Sequence, residues 1–129
     1  MKFTRSIKCL LAASLFAAAS VSVAGTTYGE GTASALQGDY RSAFTTWQSL
    51  AEGGDPRAQF NLGLMYHGGL FVEANEEKAL TWYQRAAENG VPEAQQFLAV
   101  AYTEGWFGLP QNMVYAQYWI DRLNENIAN

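Results

Sequence analysis

Residues 43–66, AFTTWQSLAEGGDPRAQFNLGLMY, lie on residues 79–102, ALTWYQRAAENGVPEAQQFLAVAY, at an offset of 36. Ala43/Ala79, Ala51/Ala87, Glu52/Glu88, Gly54/Gly90, Pro56/Pro92, Ala58/Ala94, Gln59/Gln95, Leu62/Leu98 and Tyr66/Tyr102 are identical pairs, and Gly69/Gly105 extend the register. A period of this length marks a stack of helical hairpins, in which each unit hides its apolar face only against the next. Ala116, Trp119 and Arg122 answer Ala79, Trp82 and Arg85 one residue later, which makes a partial third copy.

Helical spacing runs through every unit. Tyr40, Ala43, Phe44, Trp47, Leu50 and Ala51 form one apolar stripe, with Asp39 as N-cap and Gly53-Gly54 as a stop. Asp55-Pro56 restarts the chain with an N-cap and a proline at the first helical position, where its missing N–H costs nothing. That helix is expected to end near His67 at Gly68-Gly69. Asn75-Glu76-Glu77 opens the next, acidic residues lying at the positive end of its dipole. Ala79, Leu80, Tyr83, Ala86 and Ala87 give its buried stripe; Gly90 ends it and Pro92 starts its successor, which buries Ala94, Phe97, Leu98, Ala101 and Tyr102.

A last helix from Asn112 presents Tyr115, Tyr118, Trp119, Leu123 and Ile127, expected to close the stack. Gly63, Ala99, Ala51 and Ala87 supply thin surfaces where neighbouring backbones come near, and Trp47, Tyr66, Tyr83 and Tyr102 fill the space between hairpins. No alternating strand pattern occurs. The expected class is all-α, a short right-handed α-solenoid of antiparallel helix pairs.

Residues 1–24 stand apart. Lys2, Arg5 and Lys8 precede an apolar run over residues 9–20, and Ser22-Val23-Ala24 is a small-x-small site, the pattern of a cleavable signal peptide. The apolar run is shorter than the roughly 20 residues that span a bilayer, so stable membrane insertion after cleavage is not expected. Residues 25–37 read as a glycine-rich flexible leader with a short helix over 32–37 carrying Ala33, Ala35 and Leu36, and residues 38–129 as the repeat domain. The expected location is periplasmic, with secretion as the alternative.

Cleavage would change the charge from −4 to about −7, since three cations leave with the segment. An acidic surface argues against nucleic acid, which demands clustered Lys and Arg. Cys9, the only cysteine, also leaves, so packing alone must hold the exported domain.

The residues Ala58, Gln59, Leu62, Gly63, Tyr66, Gly69, Val72, Lys78, Ala79, Trp82, Tyr83, Ala86, Ala87 and Gly90 follow in order the pattern A-Q-x-x-L-G-x-x-Y-x-x-G, then V, K-A-x-x-W-Y-x-x-A-A-x-x-G. On these the chain resembles the Sel1-like repeat proteins, an α-solenoid family close to tetratricopeptide repeats, from residue 38 to about 127. Phe71 stands where a loop glycine is usual, Asn75 where an aspartate is usual, and Ala99 replaces the helix glycine; Trp106-Phe107 enlarges the second loop. The resemblance implies a protein-interaction adaptor.

Catalysis has little to draw on. His67 is the one histidine and the mature chain has no cysteine, so neither a Cys/His dyad nor a usual metal site assembles. Glu73, Glu76 and Glu77 read as dipole compensation on a solvated face. No cofactor is expected. Exported cysteine-rich members of the family have been linked to β-lactam hydrolysis, and a cell-wall-related hydrolase stays as one alternative; a secreted host-interacting factor is the other.

Binding is the stronger reading. With Leu62 and Leu98 in the core, the opposite stripe is Arg57, Phe60, Leu64 and His67 in one repeat and Glu93, Gln96, Val100 and Thr103 in the next. In tetratricopeptide folds this stripe lines the concave surface, and Phe60, Leu64 and Val100 are then exposed apolar residues in a groove for a protein or peptide. Phe71, Trp106 and Phe107 are large apolar groups in the glycine loops and form a second set of candidate anchors. About two full repeats make a short solenoid, for which weak self-association is expected.

Overall fold

The computed structural model describes residues 27–129, all helix and connection. The signal segment read at residues 1–24 lies outside the described residues. Among the described residues six α-helices follow one another: α1 Thr27–Leu36, α2 Tyr40–Glu52, α3 Pro56–Gly68, α4 Glu76–Glu88, α5 Pro92–Glu104 and α6 Met113–Ala128, with a 3-10 turn at Trp106–Gly108. Each helix packs chiefly on its neighbours in sequence, the arrangement of a solenoid. Among the described residues no helix is long and apolar enough to cross a membrane.

The helix starts obey the local chemistry. Asp39 accepts from the Ser42 N–H at 3.1 Å, Asp55 from the Arg57 and Ala58 N–H groups at 2.9 and 3.1 Å, Asn75 from the Lys78 N–H at 2.9 Å, and Asn112 from Val114 and Tyr115 at 3.1 and 3.2 Å. Such caps satisfy backbone donors that have no partner inside the helix. The long loops also close alike: the Asn75 N–H donates to the Tyr66 carbonyl at 2.9 Å and the Asn112 N–H to the Tyr102 carbonyl at 2.8 Å.

Large side chains meet small ones between layers. Trp47 and Tyr83, one period apart, are 0% and 1% exposed. Each lies against a glycine of the preceding helix: a Cβ on Gly31 would stand 2.5 Å from the Trp47 Nε1, and one on Gly63 would stand 2.6 Å from two Tyr83 ring carbons. At the next copy Ala99 replaces the glycine and the smaller Ile120 takes the aromatic's place. The exchange conserves the summed volume, although Ile120, beside the end of the stack, is 37% exposed.

A polar staple repeats as well. Gln59 is buried and donates to the Ala51 carbonyl at 3.2 Å while accepting from Asn89 at 3.0 Å. One period on, Gln95 donates to the Ala87 carbonyl at 3.0 Å and accepts from Asn126 at 2.9 Å. Each glutamine thus satisfies a carbonyl at the end of the preceding helix and receives an amide from the following repeat.

Two expectations are corrected. The stretch read as a flexible leader is mostly helix: α1 begins at Thr27, buries Gly31, Thr32 and Ala35, and sets the Tyr28 ring 6.3 Å from Trp47. Gly31 serves close approach rather than flexibility. Leu36, expected on its apolar side, is 61% exposed. At the other end, α6 does not close the stack, because it buries only Ala116 and Trp119. Tyr115, Tyr118 and Ile127 are exposed, as are Met113 and Val114, since no other helix among the described residues covers that side.

Candidate functional site

Helices α3 and α5 begin alike at a proline and stand side by side with α4 behind them, so residues one period apart face the same way. Phe60, Leu64 and His67 on α3 and Glu93, Gln96 and Val100 on α5 line one cavity of about 270 Å³ together with Tyr83, Phe97 and Trp106. A second cavity of about 230 Å³ lies on the far side of α5, lined by Gln96, Ala99, Val100, Thr103, Glu104, Ile120 and Leu123. Gln96 and Val100 form the ridge between them.

The floor of the first cavity is aromatic. Tyr83 and Phe97 meet tilted at 42° with 4.3 Å between centroids, Phe60 lies 5.7 Å from Tyr83, and Trp106 lies 6.0 Å from Phe97. The expectation that Phe60 and Leu64 are exposed is corrected: Leu64 is 3% exposed and Phe60 partly buried, while Val100 presents 36% of its surface. Leu64 belongs to the core formed with residues of α2 and α4, the two helices that pack against α3.

His67 sits at the lower end of this floor. Its Nδ1 lies 3.0 Å from the Tyr83 hydroxyl, and the Phe107 ring stands edge-on to it at 4.8 Å. Burial lowers the His67 pKa from 6.5 to about 4 and raises that of Tyr83, so both are neutral near pH 7. The arrangement is a polar pair set in an apolar floor.

This pair has a measurable consequence. Below pH 6.5 the unfolded chain takes up a proton that the folded protein resists down to about pH 4, so stability falls with falling pH across that window. At about 1.4 kcal/mol per pH unit, discounted for the part of the ring that water reaches, the loss is about 1–2 kcal/mol. Thermal unfolding at about pH 7 and pH 4.5 is expected to show a larger decline for the wild type than for His67→Gln, which keeps an amide near Tyr83 but does not titrate.

The remaining candidates fall in different places. Arg57 is exposed beyond the cavity wall, its guanidinium 4.2 Å over the Tyr28 ring. Thr103 lines the second cavity and donates its hydroxyl to the Ala99 carbonyl at 2.8 Å. Phe107 folds back on His67 and, at 5.4 Å, on Phe97, behind the cavity rather than in it. Phe71 lies apart from both cavities, half exposed, 5.5 Å from Phe44 and beneath Arg41. Phe71 and Phe107 share an unusual backbone, with φ of 64° and 55°. A bulky residue pays strain there, and each ring is held by its packing.

The helical period puts Tyr83 and Phe97 in the core, and both also border the groove. Phe97 lies four residues after Glu93 and three before Val100, a spacing that could have placed it on this face. Ile120 and Leu123 belong to a third copy too incomplete to be aligned with the stripe. Among the described residues no group of three or more His, Cys, Asp or Glu side chains could hold a metal ion.

Two consecutive copies of the Sel1 repeat model match residues 56–91 and 92–123, more than half of the chain. The chain belongs to the Sel1 repeat family. Each Sel1 repeat thus opens with a groove-lining helix, α3 in one and α5 in the other, and the first carries α4 as its second helix. Among solved structures, the chain is similar to c5321, a protective antigen of uropathogenic Escherichia coli strains displaying an SLR fold, at 33% identity and a TM-score of 0.67. That match covers 77% of this chain and 22% of the antigen, so the chain spans about a fifth of the antigen's length. A Sel1 repeat protein from Oxalobacter formigenes shares the fold with a TM-score of 0.62 at 23% identity, covering 96% of this chain and 92% of that one. Among curated proteins no match was found. Sel1 repeats generally mediate contacts between proteins.

Proposed function

We propose that this Sel1 repeat protein is a non-catalytic adaptor of the bacterial envelope that binds a protein or peptide in the groove between α3 and α5. The observation that carries the reading is the aromatic-floored cavity, on which Phe60, Leu64, Val100 and Trp106 converge from two repeats and a loop. Concave, largely apolar sites with a few polar groups at the rim are where partners seat. Export to the periplasm, by the signal read at residues 1–24, belongs to this proposal.

Val100→Glu places a charge in the groove at a residue already partly exposed, so its thermal unfolding is expected to stay within about 1 kcal/mol of wild type. Affinity capture from an envelope fraction with the tagged wild type should recover a partner that the Val100→Glu protein loses by about tenfold or more, as expected for a residue at the centre of an interface. Equal recovery by both proteins would place the partner elsewhere. The uncovered apolar side of α6 is further expected to cause weak self-association, measured as a concentration-dependent sedimentation coefficient.

A further inference from the structure

We propose that the occupant of this groove is an extended basic segment, one large apolar side chain flanked by lysine or arginine. The inference rests on the groove reading above and adds the chemistry of the ligand. Its first support is the floor: Phe60, Leu64, Tyr83, Phe97 and Trp106 form an apolar recess, and the imidazole in it is neutral at pH 7. Such a recess accepts an uncharged bulky group and repels nothing of its kind.

The second support is charge complementarity. Glu93 lines the first cavity and Glu104 the second, both exposed; among the described residues they are the only charged ones in either lining apart from the titratable His67, and no Lys or Arg lines either one. Arg57, the cation at the start of the α3 stripe, is turned onto the Tyr28 ring. The rim formed by the described residues therefore presents negative potential, and the chain as a whole is acidic.

Spacing sets the length of the segment. Glu93 and Glu104 stand at opposite ends of α5, eleven residues apart, and at 1.5 Å of rise per residue they are about 16 Å apart along the helix. An extended peptide rising about 3.3 Å per residue covers that length in about five residues. Eleven residues are about three full turns, so both carboxylates lie on the face of α5 that carries the Gln96–Val100 ridge, and one cation at each end with an apolar residue between them matches the two carboxylates and the recess beside that ridge.

The test uses fluorescein-labelled Lys-Ala-Phe-Ala-Lys, Glu-Ala-Phe-Ala-Glu and Lys-Ala-Ala-Ala-Lys peptides in anisotropy titrations, with methyl chemical shifts of Leu64 and Val100 as the locator. The first peptide is expected to bind about tenfold tighter than either of the others and to weaken when salt rises from about 0.05 to 0.5 M. Glu93→Gln with Glu104→Gln should cost it about tenfold while leaving thermal unfolding unchanged, since both side chains are exposed. Equal or tighter binding of the acidic peptide, or indifference to the double substitution, would overturn the inference. A selection from random displayed heptapeptides separates the two levels. Binders rich in Asp or Glu that shift Leu64 and Val100 would sink the basic-segment inference and leave the groove standing, whereas binders that leave those methyl groups unmoved would sink both.

Discussion

Gly63→Ala is expected to destabilise the fold by about 1–3 kcal/mol, although alanine is the better helix former by about 1 kcal/mol. The sign depends on whether Tyr83 can yield. An added Cβ would stand 2.6 Å from the Tyr83 Cδ1 and Cε1, well inside van der Waals contact. The ring is 1% exposed, its hydroxyl is hydrogen-bonded to His67, and Phe97 lies 4.3 Å away on another side. A ring so enclosed cannot swing aside as a flexible chain end would, so overpacking wins over propensity. For a domain of this size about 1 kcal/mol corresponds to roughly 4–8 °C in melting temperature, readily seen in a thermal scan.

The same protein suggests the compensation. Since Ala99 and Ile120 occupy the equivalent positions one period on, Tyr83→Ile in the Gly63→Ala background is expected to cost less than the sum of the two single changes. A double-mutant cycle should give a favourable coupling of about 1 kcal/mol. Strict additivity would mean that the two positions do not share the space assigned to them.

Gln95→Met should cost about 1–3 kcal/mol, the second large effect. Methionine approximates the volume and shape of glutamine, so little packing is lost. What disappears is the donor to the Ala87 carbonyl at 3.0 Å and the acceptor for Asn126 at 2.9 Å, around a side chain that is 0% exposed. The Ala87 carbonyl keeps the Gly90 N–H at 3.0 Å and the Asn126 amide keeps the Gly90 carbonyl at 3.2 Å, so the cost is that of two lost hydrogen bonds at about 0.5–1.5 kcal/mol each. Asn126→Ala should cost much less, because it leaves the inner bond intact and its own side chain is at the surface. Chemical denaturation of the two variants would rank them; an equal loss would place the stabilisation in the outer bond.

Much of this organisation was legible in the residues. Asp39, Asp55 and Asn75 marked helix starts because short polar side chains at those positions have one good use, and the structure has them capping. The groove stripe was readable for a similar reason: once Leu62 and Leu98 face inward, the helical period fixes where Phe60, His67, Gln96 and Val100 point. Which of them stays exposed was not legible. Leu64 and Val100 occupy matching positions, yet one is 3% and the other 36% exposed, a difference set by neighbouring layers and not by local pattern.

Loops and ends were harder for the same physical reason. Phe71 and Phe107 adopt positive φ against their intrinsic preference because ring packing offsets the strain. No local signal announces that. The apolar residues of α6 followed a helical stripe as expected, but burying them needs another element beside the helix, which spacing cannot supply.

Gly31 against Trp47 bears on where this protein can be cut. Counting by the 36-residue period puts the edge of the repeat domain near Gly38, a natural place to begin a fragment. The steric edge is further upstream, since Trp47 is fully enclosed only with α1 in place and with a residue at position 31 that has no side chain. A fragment starting at 38 would carry a naked indole on its first layer and invite aggregation. The cooperative unit therefore begins no later than residue 27, with a helix that the repeat alignment does not contain.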